Sequence, residues 1–221
     1  MVNEAHADKK NILIEELHED AEMISGPTRF LGMMEGIDET FDAAFFIGYH
    51  SRAGTQAGVL NHTISGRQIY NIRLNGDLIG EFGLNTLVAG HFGVPIVLVT
   101  GDDKVCKEAK NIIGNIETVQ VKEGIDRFVA KCLPPIKTSK MIMEAAGKAL
   151  ENLSNFKPIK LNGPIKIEIE FMTTAMAASL TMLPNVTREG PREISFTSGD
   201  MVEAIKLIMA SIYLATRATQ A

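Results

Sequence analysis

Short apolar runs recur along this chain at nearly regular intervals: Ala21 to Ser25, Ala43 to Ile47, Ile96 to Thr100 and Thr118 to Val121. Helical patterns lie between most of them, notably Gly83 to Ala89 and Lys104 to Ile113. A strand that reads as a continuous apolar run is buried on both faces, and strands alternating with helices build a mostly parallel sheet with helices on both faces. The fold class expected for residues 1–134 is therefore α/β. Two features interrupt the pattern. Residues 68–80 alternate with period two around Asn75-Gly76, a tight-hairpin signature, and deliver the chain to Glu81. Leu133-Pro134-Pro135 is a stiff break, after which the order becomes helix, strand, helix, strand, helix. The strands there, Ile165 to Phe171 and Glu193 to Thr197, alternate as half-exposed strands do. Residues 135–221 are accordingly expected to form a smaller two-layer α+β domain, closed by a long helix from Met201 to Thr216. That helix carries more apolar surface than one stripe needs, which suggests a subunit contact. Residues 8–18, with Ile12, Leu13 and Leu17 on one side, read as an amphipathic helix.

Open sheets of this kind place their chemistry outside the carboxyl ends of the strands. The run Ala43 to Ile47 leads directly into a Gly-rich loop that carries His50 and, further on, His62. His6 closes the segment Val2-Asn3-Glu4-Ala5-His6. A single loop histidine is more often a solvated surface group than a ligand. These three, however, sit at junctions beside Gly, Asn or Ser, with no amphipathic face to account for them. His18 and His91 differ, because each fits the last turn of a helix, where a cation complements the dipole. Glu81, in Gly80-Glu81-Phe82-Gly83, suits the first turn of the helix it opens; it also suits a metal, as a hard oxygen ligand on closely approaching backbone. Neutral imidazoles with a carboxylate favour zinc.

Several functions are excluded or disfavoured. A net charge of -5 with no Lys/Arg block gives no electrostatic footprint for nucleic acid. Cys106 and Cys132 form no C-x-x-C pair, so neither a thiolate zinc site nor a disulfide framework is expected, and both read as buried, inert thiols. No apolar stretch reaches the roughly 18 residues of a membrane span, and the N-terminus lacks a signal-peptide pattern, which points to the cytoplasm. Thr100-Gly101-Asp102-Asp103 resembles no phosphate loop, and Asp102 or Asp103 is expected to cap the helix near Lys104. There is no G-x-S-x-G elbow, and Ser51 has no local partner set.

The blocks Val2-Asn3-Glu4-Ala5-His6, Met34-Glu35-Gly36-Ile37-Asp38-Glu39-Thr40-Phe41, Gly48-Tyr49-His50-Ser51-Arg52-Ala53, Gly80-Glu81-Phe82-Gly83-Leu84-Asn85 and Val99-Thr100-Gly101-Asp102-Asp103 occur in an order that resembles the zinc-dependent D-aminopeptidases of the dipeptide-transport type. The resemblance implies that His6, His50 and Glu81 are metal ligands and that His62 matches the catalytic histidine. It also implies two zinc ions per subunit, short peptides as substrates, release of N-terminal D-amino acids, and a homo-oligomer, typically a decamer around a channel. Family members begin with a strand ending in Ser-x-Asp-x-Glu-Gly, whose Asp and Glu are further ligands; residues 1–221 start at about the second strand and lack that block. Two zinc ions about 4 Å apart make four unit-charge repulsions of roughly 4 kcal/mol each at an effective dielectric of about 20. Glu81 alone cannot offset them, so one zinc or none is expected, with impaired activity. The rival expectation is a non-catalytic oligomeric scaffold or peptide-binding protein with an incomplete metal site. A third is a related metallohydrolase acting on another amide.

Overall fold

In a computed structural model of the chain, residues 1–27 and 29–218 are described. The last three residues of the expected second domain, 219–221, lie outside them. In chain order the elements are β1 (Val2–Asn3), β2 (Met23–Ile24), β3 (Ala44–Tyr49), β4 (Ile69–Leu74), β5 (Asp77–Ile79), α1 (Glu81–His91), β6 (Ile96–Asp102), α2 (Asp103–Ile113), β7 (Glu117–Asp126), β8 (Val129–Cys132), α3 (Pro135–Glu151), β9 (Ile165–Phe171), α4 (Thr174–Leu180), β10 (Thr187–Arg188), β11 (Glu193–Ser198) and α5 (Met201–Arg217).

The α/β expectation holds. A four-stranded sheet runs in the order β3-β6-β7-β8, parallel from β3 to β7, with β8 returning antiparallel. All seven residues of β6 are buried, as a strand covered on both faces requires. Val97 packs with Ala149 of α3 and Phe156 in a small cluster, while Ile96 belongs to the main core with Val105 and Ala109 of α2.

A second, antiparallel sheet has the order β10-β11-β9-β4-β5. Along β9, Ile165, Ile167, Ile169 and Phe171 are buried and the polar residues between them face outward, which gives the sheet one face to cover with helices. The Asn75-Gly76 hairpin supplies β4 and β5, and β4 pairs with β9 through Ile72 opposite Ile169. This sheet therefore takes strands from both sides of Pro134. Burying Ile69, Ile72 and Leu74 against β9 is what holds Glu81, two residues past β5, in place.

Three local expectations are corrected. Residues 8–18 do not form a helix; only a short 3-10 turn occurs, at Ile14–Glu16. The preceding chain is turned by backbone hydrogen bonding of Lys9 to His6 and by the Glu4 carboxylate, which accepts the Ile12 N–H at 2.7 Å. Leu13 and Ile14 are left exposed, so no apolar face drives a helix there. His18 consequently lies in a loop beside Asp20, away from any helix end. Helix α5 buries Met201, Ala204, Ile205, Ile208, Met209 and Ile212 in the main core, while Leu207 and Leu214 are half-buried and Tyr213 is exposed. Cys132, finally, is exposed; only Cys106 is buried, which pushes its thiol up to about 11.

Candidate metal centre

His6 follows a short strand, and its position is fixed by two buried charged residues. The Arg29 guanidinium donates to the carbonyls of Gly26 at 2.8 Å, Glu4 at 2.6 Å and Ile24 at 3.0 Å, and it also bonds the Asn3 side chain. The Glu4 carboxylate takes the Ile12 N–H and the Ser25 hydroxyl. Together these clamp the loops that leave β1 and β2, and His6 stands at the end of the clamp.

His50 and His62 lie on the loop that leaves β3. His50 Nδ1 is 3.1 Å from the Ser51 carbonyl oxygen, and His62 Nδ1 is 2.6 Å from that of Leu60. A carbonyl only accepts, so each Nδ1 carries the proton and each Nε2 keeps its lone pair. The loop is anchored from behind by α2 and its cap. Asp102 is fully buried; one of its oxygens accepts the Val105 N–H at 2.9 Å, capping α2, and the other accepts the Val59 N–H at 2.7 Å. Glu108 accepts the Arg52 N–H at 2.9 Å. The Thr63 hydroxyl accepts the Ala53 N–H, closing the loop on itself.

Glu81 opens α1 and is buried. Gly80 brings it in, because a Cβ at that position would lie 2.5 Å from Arg52 Cβ and 2.9 Å from Glu108 Oε1. One carboxylate oxygen accepts the Ile64 N–H at 2.7 Å, and His50 Nε2 and His62 Nε2 each stand 3.4 Å from that same oxygen. The His50 and His62 rings are stacked at 4.1 Å, with His6 edge-on to both at 6.0 and 5.3 Å. Ligand-capable atoms of His6, His50 and His62 all lie within 4.8 Å of one another. The four residues singled out in the sequence thus meet at one place, and His62 sits as close to the cluster as the others.

This donor set fits zinc. Burial is the largest influence on His50 and His62 and holds both below the ordinary imidazole range, in the neutral form that binds metal. Burial likewise raises the Glu81 carboxyl, against the opposing pull of His62 and the Ile64 N–H. Two lone pairs and a carboxylate converge with no proton of their own to share, and a bound cation resolves that arrangement. A groove of about 860 Å³ opens beside the cluster, reaching His6, His50 and Glu81 between β1 and β3. Its β3 wall is the edge of the four-stranded sheet, with Phe45 and Ile47 exposed.

The four residues singled out in the sequence are brought together here, but most of their supports were not singled out. Arg29 and Glu108 lie in none of the blocks that stand out in the sequence, and Glu4, though inside the Val2–His6 block, carried no signal of its role as an anchor. Asp102 was legible as a helix cap, but its second oxygen, on the Val59 N–H of the histidine loop, was not.

The chain matches the D-aminopeptidase family over residues 1–210. It is 36% identical to the D-aminopeptidase of Bacillus subtilis strain 168 over 221 residues, spanning 98% of this chain and 79% of that protein. The fold superposes with a TM-score of 0.94 on the zinc-dependent D-aminopeptidase DppA of Bacillus subtilis, described as a self-compartmentalizing protease, at 36% identity and covering 99% of this chain and 79% of that one. The chain belongs to the D-aminopeptidase family.

Asp102→Ala removes both the α2 cap and the loop anchor. Hydrogen bonds to a buried charged group contribute about 1.5–3 kcal/mol, so a stability loss of roughly 2–4 kcal/mol is expected. Hydrogen exchange should show the Val59 and Val105 amides losing protection together. Loss at Val105 with Val59 unchanged would show that Asp102 does not hold the histidine loop.

Proposed function

We propose that this chain is a zinc aminopeptidase that releases N-terminal D-amino acids from short peptides. His6, His50 and Glu81 would hold the metal and His62 would handle the proton. The observation that carries this reading is the convergence of three imidazoles on one buried carboxylate, in a member of the D-aminopeptidase family. Zinc bound there supplies Lewis acidity toward water and toward the scissile carbonyl. Glu81 contributes the negative charge, and the carbonyls of Ser51 and Leu60 fix the tautomers of His50 and His62. His62, held by the Leu60 carbonyl through Nδ1, keeps Nε2 available to accept a proton and pass it to the leaving amine.

With Glu81 as the carboxylate within ion-pair distance of these imidazoles among the described residues, we infer at most one zinc per subunit and an activity lower than a two-metal site would give. Two further readings each rest on an observation. The position of His62 within the ligand cluster favours it as a third imidazole ligand, and the shortage of carboxylates favours a non-catalytic peptide-binding scaffold. Zinc content and turnover of a D-alanyl peptide, measured together, separate all three. His50→Ala should lose both zinc and turnover; His62→Ala should keep its zinc and lose about 10²–10⁴-fold in rate. Zinc lost from His62→Ala would make His62 a ligand. Zinc bound to the parent protein with no hydrolysis of D-alanyl peptides would favour the scaffold.

We also propose that the chain forms a homo-oligomer larger than a dimer, a decamer in the manner implied by the family. Supporting this are exposed apolar side chains at the β7–β8 turn and along α3: Phe128 at 79%, Ile136 at 74% and Met143 at 70% exposure. Among the described residues no helix is long and apolar enough to cross a membrane. Multi-angle light scattering at micromolar concentration should give a mass above that of a dimer, and a clean monomer would contradict the proposal.

A further inference from the structure

His62 also lines a second pocket, of about 390 Å³, near the low end of the roughly 300–1,000 Å³ of small-molecule sites, which shares no lining residue with the groove. Arg52 and Arg127 both line it. Two arginines beside a cation-binding cluster oppose the binding of a metal, and the net charge of the chain is -5, so their presence is not a by-product of a basic protein. Arg52 is already served, its Nη1 donating to the Ala53 carbonyl at 2.9 Å and the Glu108 carboxylate lying close enough to act on its charge, which leaves Arg127 as the guanidinium facing the pocket without a counter-charge.

Arg127 is joined to the candidate catalytic histidine by a short chain of bonds. Its carbonyl accepts the Leu60 N–H at 2.8 Å, and the Leu60 carbonyl in turn accepts from His62 Nδ1. The β7–β8 hairpin tip and the histidine loop are thereby tied together. A side chain at Gly66 would stand 3.3 Å from both Arg127 Nη2 and His62 Cβ, so the guanidinium and the imidazole flank one small space that glycine leaves open. Among the described residues no carboxylate lies within ion-pair distance of the Arg127 guanidinium, whose one recorded partner is the Phe128 ring at 5.5 Å. Nearby Glu170 is already engaged by Arg192 and Asn71.

We propose that this pocket binds the free C-terminal carboxylate of a di- or tripeptide, with Arg127 as the specificity-determining residue and Arg52 reinforcing the positive field. The inference rests on the peptidase reading above. Because the Gly66 space sets the Arg127 guanidinium and the His62 side chain on two sides of one small gap, and an extended peptide advances about 3.3 Å per residue, a carboxylate one or two residues beyond a peptide bond held at His62 is within reach of Arg127. Guanidinium and carboxylate match as a planar, charge-assisted pair. A longer peptide would carry an uncharged amide at that point, where Arg127 has no charge to pair.

The test compares D-alanyl-D-alanine with its C-terminal amide on zinc-loaded wild-type, Arg127→Ala and Arg127→Lys proteins, by kcat/KM for hydrolysis and by calorimetric affinity on the zinc-free protein. The wild type should prefer the acid about tenfold to a hundredfold in both measurements. Arg127→Ala should lose that preference, mainly through KM, with the amide unchanged within about twofold; Arg127→Lys should recover part of it. Equal treatment of acid and amide by the wild type overturns the proposal, as does an Arg127→Ala protein that loses both substrates alike. If neither is hydrolysed, the peptidase reading fails by itself, and the calorimetric preference still decides whether the carboxylate site exists.

Discussion

A carboxylate buried at Glu81 without a cation would be an expensive feature, and the architecture around it follows from that constraint. Removing an ion from water costs several kcal/mol even after relaxation, and the single backbone donor at Ile64 offsets only part of it. The remaining partners are His50 and His62, both presenting Nε2 at 3.4 Å. Because their Nδ1 protons are committed to backbone carbonyls, they do not donate to Glu81 as neutral groups. The arrangement is satisfied by a proton on Glu81 or on an imidazole, or by a metal among them; burial favours the neutral forms of all three groups, and neutral imidazole lone pairs beside a carboxyl are the donors a zinc ion takes.

Holding three imidazoles and a carboxylate in register requires rigid supports, and they come from both sheets. The parallel sheet supplies β3, which launches His50, and β6 with its Asp102 at the start of α2. The antiparallel sheet supplies the β4–β5 hairpin, which fixes where α1 begins and hence where Glu81 lies. Asp102 serves α2 and the histidine loop with its two oxygens, so helix packing and loop position are coupled through one buried side chain. Gly80 completes the assembly by letting the α1 start press against Arg52. The N-terminal contribution is separate: Arg29 and Glu4 build a small polar clamp, and His6 reaches the site from it.

Much of this was legible in the residues. The continuously apolar run in β6 and the Asn75-Gly76 hairpin are strong local signals, since burial on both faces and turn chemistry leave few alternatives. The four site residues stood out because their loop contexts offered no packing role, and because they fell within blocks resembling one family. What failed was also physical. Ile12, Leu13 and Leu17 match a helical period, yet backbone turns at Ala7 and Lys9, both with positive φ, and the reach of Glu4 to Ile12 impose another path. The apolar excess of α5 reads from sequence as an outer interface; much of it is taken up inside the molecule, against α1, α4 and the second sheet. Periodicity reports which residues seek burial; it does not report what buries them.

The central claim is that these imidazoles and this carboxylate form a zinc site. X-ray absorption at the zinc edge of the metal-loaded protein measures that first shell directly. The structure predicts light nitrogen and oxygen neighbours at about 2.0–2.2 Å, with outer-shell scattering from at least two imidazole rings and no sulfur at about 2.3 Å. A sulfur neighbour, or a shell without imidazole scattering, would place the metal elsewhere and contradict the claim.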